Sequence, residues 1–283
     1  MQTVTSEEIG RYYDRSQKWC RLLVLEPEGL ALHYGFWDGP VTKAQAVTQQ
    51  YREIAERLNI QPGQKILDAG CGVGGASLWL APRTEAHFTG ISVSQVHVHD
   101  AQRYAMERGI TGQTEFLLAD YTRTPFPDNH FDSVFGIESF CHAYPDPRSL
   151  YREMWRVLKP GGRMLISDGV IAREPETAVE QKWTEQFCYG FRMSGWCSVD
   201  EIQKYLAETG FTDVQSINQT PRVRPTVDEM WRLFLITLPL HLLRPFGFFG
   251  VDENRNSYAL YSQKKLYDAG IVGYYTFVAT KPL

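Results

Sequence analysis

The sequence predicts an α/β protein in which a parallel sheet is covered on both faces by helices. Three observations carry that expectation. From about residue 64 onward, short apolar runs alternate with segments of helical periodicity. Four glycines within six residues, in Gly70-Cys71-Gly72-Val73-Gly74-Gly75, directly follow the first apolar run. Glycine is costly inside regular structure, so such a cluster marks a tight turn or backbone that something approaches closely. Finally, 283 residues with 43% hydrophobic and 22% charged side chains suffice for a large buried core without staples.

Taken in order, the first 60 residues read as helical and carry large aromatics, Tyr12, Tyr13, Trp19, Tyr34, Phe36 and Trp37. Thr42 is a cap for a helix over Lys43–Leu58, and residues 59–63 supply its stop. Strands follow over Lys65–Ala69 and His87–Ile91, with a helix start at Ala76–Ala81 and a helix over Ser94–Glu107. Glu115–Ala119 and Asp132–Ile137 read as strands, and Arg148–Leu158 as a helix. A turn at Lys159-Pro160-Gly161-Gly162 then leads into a strand over Arg163–Ser167. Residues 174–190 and 225–247 interrupt the rhythm with helical, aromatic-rich stretches. Between them, Ser198–Thr209 is an amphipathic helix ended by Gly210, with a strand over Phe211–Ile217; Gly273–Ala279 is the closing strand. The organisation expected is a helical cap over residues 1–60 and one core domain over 61–283, with insertions near 174–197 and 225–262.

Composition narrows the function classes. A mild net charge of −4 without basic clusters argues against nucleic acid as a partner. Five cysteines form an odd set with no Cys-x-x-Cys pair, so neither a disulfide framework nor a metal site is suggested, and reduced thiols in the cytoplasm fit best. The start MQTVTSEEIG lacks the apolar core of a signal peptide. Residues 230–249 are about as long as a membrane span, but contain Arg232, Arg244, Pro239 and Pro245. A buried or interfacial helix pair, with transient contact at a membrane surface, is the better reading.

In a sheet of this kind, ligands bind beside the loop after the first strand, where the strand order reverses. Gly70-x-Gly72-x-x-Gly75 satisfies the dinucleotide pattern. A nicotinamide site, however, expects an acid at the end of the second strand, and Phe88-Thr89-Gly90-Ile91-Ser92 offers none. The acid lies early instead, at Asp68. An NAD-dependent oxidoreductase and a non-catalytic nucleoside-binding protein stay open as alternatives.

The pieces "ILDAGCGVGG", "FLLADY", "FDSVFGIES" and "REMWRVLKPGGRMLISD", in that order over residues 64–168, resemble the class I S-adenosylmethionine-dependent methyltransferases. Shorter strings, "YYD" at 12–14, "LHYGFWDG" at 32–39, "GISVSQ" at 90–95, "IESFCH" at 137–142 and the terminal "GYYTFVATKP", are similar to the branch with sterol and tocopherol C-methyltransferases and to cyclopropane fatty acid synthases. The resemblance implies a Rossmann-like, seven-stranded, mostly parallel sheet with one antiparallel strand near the end. It implies S-adenosylmethionine as cofactor, held by Asp68, Gly70, Gly72, Gly74, Ser92, Val93, Asp120 and Tyr121 and closed over by Tyr34. Many relatives carry Gln where this chain has His97, which either replaces it as a donor or faces solvent. Asp120 has an alternative role as a turn cap.

Glu138 and His142 follow the fourth strand, where the methyl group should point. On a helix, side chains four apart share a face, and a carboxylate beside an imidazole serves as base or stabilises positive charge. Tyr12, Tyr13, Trp37, Phe187, Trp196 and Phe234 are the expected acceptor pocket, or else simply a hydrophobic plug. These apolar surfaces suggest a small lipophilic acceptor, with C-methylation of an isoprenoid or prenylated phenol preferred and O- or N-methylation of a small aromatic or alkaloid-like metabolite as the alternative. Arg222 and Arg224 suit a diphosphate, or lie on an exposed loop.

Overall fold

In a computed structural model, residues 4–239, apart from Val24 and Pro27, and residues 251–283 are described. Seven strands form one sheet: β1 (Lys65–Ala69), β2 (His87–Ser92), β3 (Thr114–Leu118), β4 (Phe131–Ile137), β5 (Leu158–Ile171), β6 (Thr212–Asn218) and β7 (Val272–Thr280). Their order is β3-β2-β1-β4-β5-β7-β6, and β7 runs antiparallel between β5 and β6. The sequence order reverses between β1 and β4, which leaves a crevice at their carboxyl ends.

Helices α2 (Lys43–Leu58), α3 (Gly75–Thr84) and α4 (Gln95–Glu107) precede the sheet's second half, and α5 (Arg148–Val157) and α7 (Val199–Thr209) accompany it. Local chemistry explains the ends of α2. Thr42 Oγ1 accepts from the Gln45 amide at 3.2 Å, while Gln45 Oε1 accepts from the Thr42 amide at 2.9 Å. Asn59 closes the helix in the left-handed conformation, φ 51°. The apolar face of α2, Val47, Tyr51, Ile54 and Leu58, packs on Ile66, Phe88, Phe135 and Leu165 of the sheet. Each such side chain contributes about 1.5–3 kcal/mol by leaving water.

Two readings of the sequence need correction. Residues 28–42 are not helical; they lead into α2, after α1 (Ser6–Leu23), with their amides spent elsewhere. The Gly35 amide donates to Thr226 Oγ1, Phe36 to the Ala46 carbonyl and Trp37 to the Arg222 carbonyl. The expected turn at 159–162 lies inside β5 as a register irregularity: Phe131 faces Leu158, and Ser133 faces Arg163. The continuation of β7 holds it there, since Gly161 donates to the Lys281 carbonyl at 2.8 Å and Lys281 to that of Gly162 at 2.9 Å.

Above the carboxyl ends lie α1, α6 (Ala178–Phe191), α8 (Thr220–Thr237) and α9 (Val251–Asp268). Of the expected helical segments, residues 178–190 and 225–237 are helical while 174–177 are not, and residues 240–249 of the long apolar stretch lie outside the described residues. Among the described residues, no helix is long and apolar enough to cross a membrane.

Candidate active site

A cavity of about 310 Å³ opens at the carboxyl ends of β1, β2, β4 and β5, roofed by α1 and by α6, α8 and α9. Its floor is the glycine turn. Gly70 and Gly72 both border the cavity and have positive φ, 91° and 53°. A Cβ on Gly70 would strike Ser139 Cβ at 2.4 Å, so that glycine makes room for the chain after β4. A Cβ on Gly72 would meet no protein atom within 4 Å. Its bare backbone faces open space, which is the room a closely bound ligand needs. Gly74 is different: its missing Cβ would collide with the Phe116 ring at 2.8 Å, and it does not border the cavity. Gly74 belongs to the packing of α3 on β3 and α4, and Gly75 takes its expected place on the cavity wall.

The acid ahead of the turn, Asp68, is buried and accepts from Ser77 Oγ at 2.7 Å; burial pushes its carboxyl up to about 7. Ser92 and Val93, past the end of β2, border the cavity, and Ser92 Oγ accepts from the Ser94 amide at 3.2 Å. Over them lies α1. A Cβ on Gly10 would come within 2.4 Å of the Val93 carbonyl oxygen, so the helix needs a glycine to lie this low. Asp14 receives Ser94 Oγ at 2.6 Å, and Gln17 meets His97 Nε2 at 3.0 Å. His97 is thus buried against α1 rather than facing solvent, and burial lowers its pKa to about 4.

Asp120 borders the cavity and fills the alternative role of a turn cap. Oδ1 accepts from the Thr122 amide at 2.8 Å and caps the turn, while Oδ2 takes the hydroxyl of Ser6 on α1 at the cavity's edge. Tyr121 also lines the cavity, its hydroxyl tied to the Ser139 carbonyl at 2.9 Å.

Glu138 and His142 both reach the cavity, but not by sharing a helical face. Glu138 precedes the short 3-10 helix Phe140–Ala143 and sits at φ +48°, a conformation uncommon for a side-chain-bearing residue. Its Oε1 accepts from the Tyr34 amide at 2.8 Å. Burial raises Glu138 to about 8, with the nearby Asp168 adding to the rise and the Tyr34 amide opposing it. His142 Nε2 lies 3.0 Å from the Tyr13 hydroxyl, and its buried Nδ1 makes no well-formed hydrogen bond. Burial pushes the imidazole down to about 4, against a smaller opposing effect of the Arg192 backbone.

Of the expected acceptor residues, Tyr12, Tyr13, Phe187 and Trp196 line the cavity, and so does Tyr34. Trp37 and Phe234 do not. The Trp37 indole donates to Thr226 Oγ1 at 2.8 Å and clasps α8, while Phe234 stacks between Trp231 and Tyr261 where α8 meets α9. Arg222 and Arg224 are on α8, not an exposed loop, and both are occupied. Arg222 holds Asp38 and Glu53, each at 2.5 Å, and Arg224 holds Asp268.

Three contributors carried no assigned role in the sequence reading. Asp168, at the carboxyl side of β5, is pushed up to about 6 by burial and receives the Cys141 and Gly169 amides. The acid closing the strand "MLISD" was its available signal. Asn256 and Gln263 come from α9, whose sequence carries no such mark; Asn256 accepts from the Tyr12 hydroxyl at 2.8 Å.

The electrostatics select for a cation. Asp68, Asp120, Glu138 and Asp168 border the cavity, against Lys43 as the one lysine or arginine among its described lining. Removing carboxyl groups from water favours either a proton or a positive ligand beside them. A sulfonium nucleoside with an ammonium tail meets that requirement, and the open space over Gly72 admits it. The residues present fit S-adenosylmethionine.

Fold and cleft together define a doubly wound nucleoside-cofactor enzyme. Residues 67–166 match the family described as a methyltransferase domain. Methyltransferase GfsG of Streptomyces halstedii is 31% identical over 98% of this chain and 95% of its own length. A sterol 24-C-methyltransferase of Gibberella zeae is 34% identical over 59% of this chain and 44% of its own length. Among solved structures, the [4+2]-cyclase SpnF superposes with a TM-score of 0.82 at 28% identity, covering 100% of this chain and 99% of that one. The chain belongs to the class I S-adenosylmethionine-dependent methyltransferases. Its cofactor is S-adenosylmethionine, and the NAD-dependent alternative falls with that assignment.

Proposed function

We propose that this methyltransferase acts on a small, neutral, lipophilic acceptor, with carbon of an isoprenoid or prenylated phenol as the preferred site of methylation. One observation carries the reading: the acceptor end of the cavity is walled by Phe187, Phe191, Met193, Trp196, Met230 and Leu260, with no lysine or arginine among them. An anionic acceptor such as a prenyl diphosphate would find its natural partners, Arg222 and Arg224, already paired.

When bound, the cofactor supplies an electrophilic methyl group on a positively charged sulfur. The chain's own residues align, exclude water and manage charge. Asp68 takes the ammonium end of the ligand, the Gly70 and Gly72 backbone lies against it, and Ser92 and Val93 bound its ribose and adenine. Asp120 receives the adenine amine, with Tyr121 packed beside it, and Tyr34 closes the cleft over the reacting end. A cation bound nearby lowers Glu138 from its ligand-free value, so the carboxylate forms where charge has to be balanced. With an alkene acceptor, the carboxylate and the aromatic faces stabilise the developing carbocation. With a phenol or an amine, which keeps O- and N-methylation open, Glu138 or the neutral His142 takes the proton.

The test is a mass-spectrometric screen of extract lipids and of neutral and diphosphorylated prenyl compounds, with labelled cofactor. Label on neutral acceptors supports the reading; label confined to diphosphates or to hydrophilic amines refutes it. A second activity of the same cavity, ring closure by [4+2] cycloaddition, is favoured by the full-length likeness to SpnF. It would yield an isomer of unchanged mass in the same screen. The protein is proposed to work in the cytoplasm, meeting lipid transiently through the exposed Leu235, Ile236 and Leu238 at the end of α8.

A further inference from the structure

His33, in the segment before α2, borders the cavity, as do Lys43, Tyr51 and Asp68. Its hydrogen bonds fall one proton short. Nδ1 lies 2.7 Å from the Tyr34 carbonyl, which can only accept, so Nδ1 carries the proton of the neutral ring and Nε2 is bare. Nε2 stands 3.0 Å from the Tyr51 hydroxyl, but that hydroxyl also donates to the Gly29 carbonyl at 3.0 Å, so two acceptors compete for one hydrogen. A third acceptor is stranded nearby. Gln50 donates from Nε2 to Ser167 Oγ at 3.0 Å and to the Tyr274 oxygen at 3.1 Å; the Tyr274 proton is committed to the Ser167 carbonyl, which fixes the orientation of the amide. Gln50 Oε1 is left buried without a partner. A proton added at His33 Nε2 ends the competition: the ring donates, and Tyr51 keeps its bond to Gly29. Burial withholds that proton in the empty protein, lowering His33 to about 4 against the pull of the Tyr34 carbonyl and the Gln50 side chain, and Lys43 on α2 adds to the lowering. Around its partner Tyr51 stand Asp68 of β1, Glu26, Arg108 and Glu138 after β4.

We infer that His33 receives the carboxylate of the cofactor's amino-acid tail as an imidazolium, so that cofactor binding draws a proton from solvent onto Nε2. The inference rests on the placement of the ammonium end at Asp68 and deepens it. The carboxylate shares a carbon with that ammonium, and Tyr51, within the field of Asp68, is bonded to His33. The carboxylate therefore falls at the end of the cavity that holds His33 and Lys43. Its negative charge offsets the cost of charging an enclosed ring, and Lys43 then acts with His33 on one anion instead of opposing it.

The probes are S-adenosylhomocysteine and methylthioadenosine, which keeps the nucleoside and the thioether but lacks the amino-acid tail. In protein carrying nitrogen-labelled histidine at about neutral pH, the His33 resonances are identified by their loss in His33→Gln, or in His33→Asn if that variant does not fold. They should be those of a neutral ring without ligand and with methylthioadenosine, and those of an imidazolium with S-adenosylhomocysteine. Calorimetry in buffers of different ionisation enthalpy should show about one proton more taken up by the unaltered chain than by the variant, because Asp68 and Glu138, which shed protons to a bound cation, contribute to both. The variant should bind S-adenosylhomocysteine about tenfold or more weakly and methylthioadenosine within about twofold of the unaltered chain, the loss of one charged hydrogen bond. A ring that stays neutral beside S-adenosylhomocysteine overturns the inference. So does a ring protonated by both ligands, since the carboxylate is then not the cause. Asp68→Asn tells the two readings apart: if it weakens S-adenosylhomocysteine while His33 stays neutral, the inference alone falls, and if it leaves affinity unchanged the placement of the tail falls with it.

Discussion

Gly72→Ala separates a ligand role for the glycine turn from a packing role. The structure sets two independent magnitudes. At φ 53° an added methyl costs the folded state about 1–2 kcal/mol. With an unfolding entropy near 2.1 cal/mol/K per residue over 283 residues, that corresponds to a melting point lower by roughly 2–3 °C. No protein atom lies within 4 Å of the new carbon, so nothing further is lost in the free protein. In the complex the methyl occupies space the ligand needs, and an overpacking cost of about 1–3 kcal/mol weakens binding by about 5- to 150-fold. Calorimetric titration with S-adenosylhomocysteine gives the second quantity and scanning fluorimetry the first. Gly70→Ala is the contrasting case: its methyl strikes Ser139 at 2.4 Å, so it should lose stability before it loses affinity. A Gly72→Ala protein that melts as expected yet binds with unchanged affinity would refute the close backbone approach.

Glu138 makes the ligand-free protein pH-sensitive. Its folded pKa of about 8 lies above the ordinary 4.5, so its contribution to stability is complete below 4.5 and is lost as pH rises through 8. His142, depressed from 6.5 to about 4, acts in the opposite sense, contributing above 6.5 and losing that contribution as pH falls through 4. Melting temperatures between pH 5 and 8 should therefore fall less steeply in Glu138→Gln than in the unaltered chain; parallel slopes would exclude Glu138 as the source. The same variant should lower turnover at least tenfold while changing S-adenosylhomocysteine affinity less than threefold, the loss expected for charge management rather than cofactor binding. Arg222→Ala, which leaves Glu53 with Arg57 as its remaining cation, should cost about 1–3 kcal/mol in denaturant unfolding without altering prenyl diphosphate binding. Diphosphate binding that disappears in the variant would restore Arg222 to the acceptor site. Phe187→Ala should weaken acceptor binding about tenfold or more, whereas Phe234→Ala, outside the cavity, should stay within twofold; equal losses would contradict the assigned lining.

The sequence alone was enough for the alternation of strands and helices, the cap at Thr42, the stop at Asn59 and the glycine turn after β1. Each of these is a local matter: helical periodicity, a hydroxyl three residues from an amide, or the conformational freedom of glycine, all expressed by neighbours along the chain. The acids at Asp68, Asp120 and Glu138 were legible for the same reason, since strand ends in a doubly wound sheet point to one rim. Which glycines border the cavity was not legible. Gly72 and Gly74 share a left-handed conformation, and it is the Phe116 ring from β3, with Ala101 from α4, that assigns Gly74 to packing. The roof was decided by tertiary structure altogether. Tyr34 meets Gln263 across 229 positions of sequence, and Tyr12 meets Asn256 across 244. Trp37 and Phe234 look like pocket aromatics in sequence, yet helix packing turned one onto Thr226 and the other onto Trp231. Periodicity tells a residue which side of its own element it occupies, but what lies opposite depends on segments that join only when the chain closes on itself.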